Sequence, residues 1–170
     1  MQCFLLQDVC DCLYCLDENC LLELDSVSLY RLNSADLQAM LYFLARPDSP
    51  LQRHIYAFLT FLVSLDSNCF LQVYQYRPLM QQVLLHYTSE ETAPGLRLKV
   101  ALFWLQVVHK DDSHLTRALL QCNLVRHSLA LAPTFCLDPM HGEVALLVLQ
   151  MLHSLLKLLN SKDLHGLGLY

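Results

Sequence analysis

Five of the chain's eight cysteines, Cys3, Cys10, Cys12, Cys15 and Cys20, fall within its first twenty residues. By residue type they are the strongest candidates for chemistry. Cys12-x-x-Cys15 has the spacing of half a zinc site, because two thiolates one helical turn apart reach a single tetrahedral ion. A closed structural site needs a second pair, however, and Cys10 and Cys20 stand at no familiar knuckle or ribbon spacing. Cys10 and Cys12 would also point to different sides of a helix. The same pair is spaced for dithiol redox chemistry, but Cys12-Leu13-Tyr14-Cys15 lacks the βαβ setting of that motif. Free cysteine packs as a small hydrophobe. The expectation is therefore core thiols, with no bound metal and no cofactor. A zinc-binding or redox-responsive helical domain built on these cysteines stands as the alternative.

No other constellation points to catalysis. The eight histidines include no His-Glu-x-x-His pair, and His109 and His114 are separated by the polar turn Lys110 to Ser113. His109 and His153 recur 44 residues apart near helix ends, where a polar or cationic ring suits the negative pole of the dipole. The serines lack a Gly-x-Ser-x-Gly elbow, and the four glycines lie too far apart to cradle a phosphate. Trp104, between Leu102 and Leu105 in mid-helix, reads as core. An enzyme is not expected. Binding has a better candidate in Gln38, Gln82 and Arg126, which are also 44 apart (82 − 38 and 126 − 82). Their plain reading is a solvated helix face. Their functional reading is a polar ladder that hydrogen-bonds an extended peptide, with His86 and His127 on the same surface.

The elements that position these residues are helices, since apolar residues return at three- and four-residue spacing and strand-type alternation is nearly absent. The pattern predicts helices over about 2–16, 27–32 and 34–45, the last capped by Ser34 with Asp36 at its positive end. Ser49 and Pro50 open the next, which runs to Leu65. Further helices are expected over 69–76, 79–87, 96–109, 114–131 and 143–159. Polar loops fall at Thr88–Gly95 and Pro133–Gly142. Three of the helices share one register: Ala57, Ala101 and Ala145 are spaced by 44 and 44 residues, and each segment follows a proline, at Pro50, Pro94 and Pro139. Ala101-Leu102-Phe103-Trp104-Leu105-Gln106-Val107-Val108-His109 sits over Ala145-Leu146-Leu147-Val148-Leu149-Gln150-Met151-Leu152-His153. The turns Asp66-Ser67-Asn68 and Asp111-Asp112-Ser113 fall in nearly equivalent places.

The proline-opened apolar helix, its central alanine, the acidic turn and a following helix resemble the armadillo/HEAT superfamily, whose units repeat every ~40–47 residues. The likeness covers about residues 34–159, without the glycine that armadillo units often carry between Leu65 and Phe70. It implies an all-α solenoid of about three 44-residue units, divided near 1–49, 50–93, 94–138 and a partial 139–170, and partner binding along a groove. A second resemblance, in the texture of Val9-Cys10-Asp11-Cys12-Leu13 and Ala101-Leu102-Phe103-Trp104-Leu105, is to the vertebrate meiosis inhibitor proteins. It implies a nuclear role in meiotic recombination initiation and chromosome synapsis.

Composition sets the compartment and the partners. Apolar residues make up 55% and charged residues 16%, against about 45–50% and 25% in ordinary soluble domains. That balance suits a piece of a longer solenoid whose end helices meet neighbouring repeats. A net charge of −5, with eleven scattered basic residues, argues against direct nucleic-acid binding, which needs clustered cations. No stretch approaches the ~20 apolar residues of a membrane span, and few cations are present to hold an interfacial helix on lipid. Asp8 and Asp11 interrupt any leader-like run at the start. The expected setting is intracellular, in nucleus or cytoplasm, with a protein partner (a peptide or helix in a groove) and no membrane.

Overall fold

Asn33, rather than the expected Ser34, starts the first helix. Its side-chain oxygen accepts the Asp36 backbone N–H at 3.0 Å, and the Asp36 carboxylate accepts the Asn33 N–H at 2.9 Å. This reciprocal box satisfies two donors that helix geometry leaves open. The structure is a computed structural model that describes residues 32–47, 49–110, 113–137 and 142–158, all within a unit that opens at Leu32. The described residues form α1 (Ser34–Leu44), α2 (Gln52–Leu65), α3 (Asn68–Gln75), α4 (Arg77–Thr88), α5 (Pro94–His109), α6 (Ser113–Gln121), α7 (Leu124–Leu137) and α8 (Gly142–Leu158), with no strand among them. The all-α class expected from the periodicity is the one found. The expected helices over 2–16 and about 27–32, with the N-terminal cysteines, lie outside the described residues apart from Leu32.

Proline placement accounts for several boundaries that differ from expectation. Pro78 and Pro94 fall in the first turns of α4 and α5 rather than in the preceding corner and loop, because an opening turn needs no proline N–H. α2 begins later than Pro50. The turn Ser49–Leu51 precedes it, Ser49 accepts the Gln52 N–H through its backbone carbonyl at 3.3 Å, and no side chain caps the helix. The single helix expected over 114–131 is two, α6 and α7, broken at Cys122–Asn123, where Asn123 takes φ 55°. Asparagine tolerates that left-handed conformation better than most residues. α7 then continues past Pro133 to Leu137, so the loop expected from Pro133 starts later.

Packing follows a rule of three. α1 lies on α4, α2 on α5, α3 on α6 and α5 on α8, so helices three places apart in chain order pair with one another. The Tyr87 and Ser128 hydroxyls, 2.8 Å apart, tie α4 to α7 in the same sense. Other links span similar separations. The Leu32 N–H donates to the Gln72 side chain at 3.0 Å, the Cys122 thiol meets the Met80 sulfur at 3.8 Å, and Lys110 reaches the Ser64 carbonyl. Ala57, Ala101 and Ala145 therefore stand on the successive helices α2, α5 and α8 of one stack, the first half-buried and the others buried. α5 is the middle helix, buried on nearly all sides as its continuous apolar composition requires. Its Phe103 and Trp104, 5.4 Å apart by ring centroid, pack with Tyr56 of α2, Phe70 of α3 and Tyr87 of α4 at centroid distances of 5.9–6.4 Å. Trp104 is fully buried, as its mid-helix setting predicted, and its indole N–H has no hydrogen-bond acceptor among the described residues. α8, packed on α5 and α7, leaves Leu146, Leu149 and Leu156 about half exposed.

Candidate functional site

A cleft of about 700 Å³ opens where the end of α1, the start of α2, the end of α4 and the start of α5 converge. Gln52 builds its floor. Buried at the first position of α2, it donates through its amide to the Leu44 carbonyl at 3.0 Å and the Arg46 carbonyl at 2.8 Å. These carbonyls lie at and just after the end of α1, where the helix supplies no donor; the Ser49 N–H also donates to Arg46, at 3.2 Å, and the Gln82 amide to Leu44, at 3.4 Å. The Gln52 side chain thereby fixes the turn from α1 into α2, and with it the positions of Arg53 and His54 on the cleft wall.

A hydrogen-bonded chain joins two cleft residues, Gln82 and His86, to the fully buried Tyr56. The Tyr56 hydroxyl of α2 lies 2.9 Å from Nδ1 of His86 on α4, and the Gln82 side-chain amide, one helical turn before His86, lies 3.0 Å from its Nε2. A neutral imidazole carries one proton, so the two contacts are coupled. The Gln82 amide nitrogen is the atom that faces Nε2, so Nε2 accepts from it and the ring proton sits on Nδ1, donating to the Tyr56 hydroxyl oxygen. The same Gln82 amide nitrogen lies 3.4 Å from the Leu44 carbonyl, which accepts from both Gln82 and Gln52. Burial holds the His86 pKa below the ordinary histidine value and raises that of Tyr56 well above the usual tyrosine value. Both groups are therefore neutral at pH 7 and both ring nitrogens are engaged. Here the imidazole bridges two helices.

The structure brings together two of the five residues expected to bind a partner. Gln82 and His86 line the cleft; Gln38, exposed on α1, and Arg126 and His127, exposed and half-buried on α7, do not. The 44-residue register of Gln38, Gln82 and Arg126 thus falls on three helices but only one member faces this cavity. Sequence reasoning missed Tyr56, Gln52, Arg53, His54 and Leu85. Tyr56 stands among apolar residues between Ile55 and Leu59, and its partner His86 is 30 residues away. For Arg53 and His54 a signal was present, since both follow the Pro50 turn on an otherwise apolar helix.

The remaining candidate groups sit elsewhere. Ser128 is fully buried and engaged with Tyr87. Cys69 and Cys122 are buried thiols, their pKa values pushed up to about 11 by burial, with the Asp66 charge adding to the effect at Cys69. Cys136 is exposed on α7. Among the described residues no three histidine, cysteine or acidic side chains group to hold a metal ion. Cys3, Cys10, Cys12, Cys15 and Cys20 lie outside those residues. No helix among the described residues is long and apolar enough to cross a membrane.

Comparison with protein-family models, with curated proteins and with solved structures finds no match to this chain.

Proposed function

We propose that this chain is a noncatalytic scaffold, an armadillo/HEAT-like stack of units of about 44 residues that holds a segment of another protein in the cleft between successive units. The observation that supports the reading most strongly is the packing of α2 on α5 and α5 on α8, helices that share the 44-residue register of Ala57, Ala101 and Ala145. A stack in which each unit touches its neighbours leaves a joint between units open to partners. The cleft with Gln82, His86 and the 53% exposed Leu85 lies at such a joint. Engagement of both His86 nitrogens is consistent with binding rather than proton transfer. The resemblance to meiosis inhibitor proteins narrows the proposal to a nuclear assembly active in recombination initiation and synapsis.

The test is quantitative capture of associated proteins by the full chain, followed by rebinding with purified components, comparing the natural protein with Leu85→Asp. Leu85 is exposed, so the change leaves the core alone. Loss of a reconstituted partner in the variant supports the cleft. A partner retained by Leu85→Asp places binding on another surface, and the Gln38→Glu plus Arg126→Glu pair then tests the wider ladder.

A further inference from the structure

We infer that the cleft takes an extended peptide segment presenting an aliphatic side chain and, within three residues of it, an acidic one; this rests on the scaffold reading and names the ligand class for it. Arg53 lines the cleft at the start of α2, exposed and without an ion-pair partner among the described residues. Its guanidinium lies against Gly95 in the first turn of α5: a Cβ there would sit 2.9 Å from its Nη2 and 3.1 Å from its Cζ. With glycine at this position the cation approaches the turn without having to shift. Neither α2 nor α5 carries an acidic residue in its first turn, so local sequence supplies no counter-charge where helix dipoles add to the positive potential. Beside Arg53, His54 is committed through Nδ1 to the Pro50 carbonyl at 3.2 Å, which leaves its Nε2 facing outward.

The apolar half of the ligand follows from Leu85, Pro47 and Pro50, which border the same cavity. A leucine 53% exposed on a helix whose other large apolar residues are covered offers a seat for one aliphatic side chain. Main-chain groups of the occupant would meet the exposed polar edge of the wall. The one described carboxylate on the cleft is Glu91, on the loop between α4 and α5, exposed and not ion-paired with Arg53. It disfavours an acidic ligand placed near it, which leaves Arg53 as the seat for the acidic group.

Selection of phage-displayed random nonapeptides on the full chain tests this. The expected result is enrichment of sequences with Leu, Ile or Val one to three places from Asp or Glu. A synthetic peptide of the enriched sequence should bind at least tenfold more weakly to Arg53→Glu and severalfold more tightly to Glu91→Lys, with circular dichroism unchanged in both surface variants. Enriched peptides that lack an acidic residue, or that bind Arg53→Glu equally well, overturn the acidic assignment. If they still depend on Leu85, the scaffold reading survives. Failure to enrich any sequence overturns the peptide site itself, while the scaffold reading is then decided by the capture experiment with folded partners.

Discussion

His86 should make this protein lose stability in mild acid in a way that can be isolated from its other histidines. In the folded chain the ring is buried between Tyr56 and Gln82, 9% exposed, with its pKa below the ordinary value. The unfolded chain takes up a proton near pH 6.5. Between that value and the lower folded one, the unfolded state binds more protons, so the free energy of unfolding falls as pH falls. The contribution is complete above about pH 6.5 and is lost on acidification, with a ceiling of about 1.4 kcal/mol per pH unit for one group. One side of the ring borders the cleft, so solvent reduces the effect below that ceiling. Urea unfolding at pH 7.5 and pH 5.5, for the natural protein and His86→Gln, isolates the term. Glutamine can still hydrogen-bond Tyr56 but does not titrate. Arg53, His54 and Glu91 on the cleft, and Tyr56 itself, are present in both proteins, so their contributions cancel in the difference. The natural protein should lose more stability than the variant over this interval, by less than the one-group ceiling. Equal losses, or a greater loss in the variant, would refute the neutral buried imidazole.

Three further outcomes follow from local structure. Asn33→Ala removes the capping box of α1 and should lower stability by about 0.5–2 kcal/mol in the same urea assay. Asn123→Val places a β-branched residue at φ 55° between α6 and α7 and should cost about 1–2 kcal/mol or more, whereas Asn123→Gly should stay within about 0.5 kcal/mol of the natural protein. Among the described thiols, iodoacetamide at pH 7.5 followed by peptide mass spectrometry should label exposed Cys136 first and leave Cys69 and Cys122 unmodified until the chain unfolds, because thiols raised to about 11 and buried present almost no thiolate.

The sequence carried the helices well and the cleft poorly, for one physical reason. Helix formation leaves its mark at spacings of three and four, and the register of Ala57, Ala101 and Ala145 falls on helices of which α2 packs on α5 and α5 on α8. Cavities depend instead on contacts between distant segments. Gln82 could be singled out by its 44-residue register with Gln38 and Arg126, yet what it does is set by His86 and the Leu44 carbonyl. The break at Asn123 was missed because the apolar pattern continues through it; only the left-handed backbone interrupts the ladder. Pro94 and Gly95 read as loop residues, but proline suits an opening turn and Gly95 makes room for Arg53.

If units interact only with their neighbours, damage at one end should remain local, and this gives the proposed stack its sharpest physical test. Val148 on α8 is fully buried, where that helix packs on α5 and α7. Val148→Ala removes two methyl-sized groups at about 0.8 kcal/mol each and leaves a small cavity, for a cost of about 2 kcal/mol. In a cooperative bundle that loss would lower hydrogen-exchange protection equally across every helix that opens only by global unfolding. In a nearest-neighbour array it should fall on α8, α7 and α5, while amides of α1 and the first half of α4 keep most of their protection. The Tyr56–His86 bridge and Gln52 hold α1, α2 and α4 together without any contribution from α8, so a local mechanism for that independence exists. A uniform loss of protection from α1 to α8 would mean that the 44-residue register reflects the ancestry of the helices but not the way they share stability.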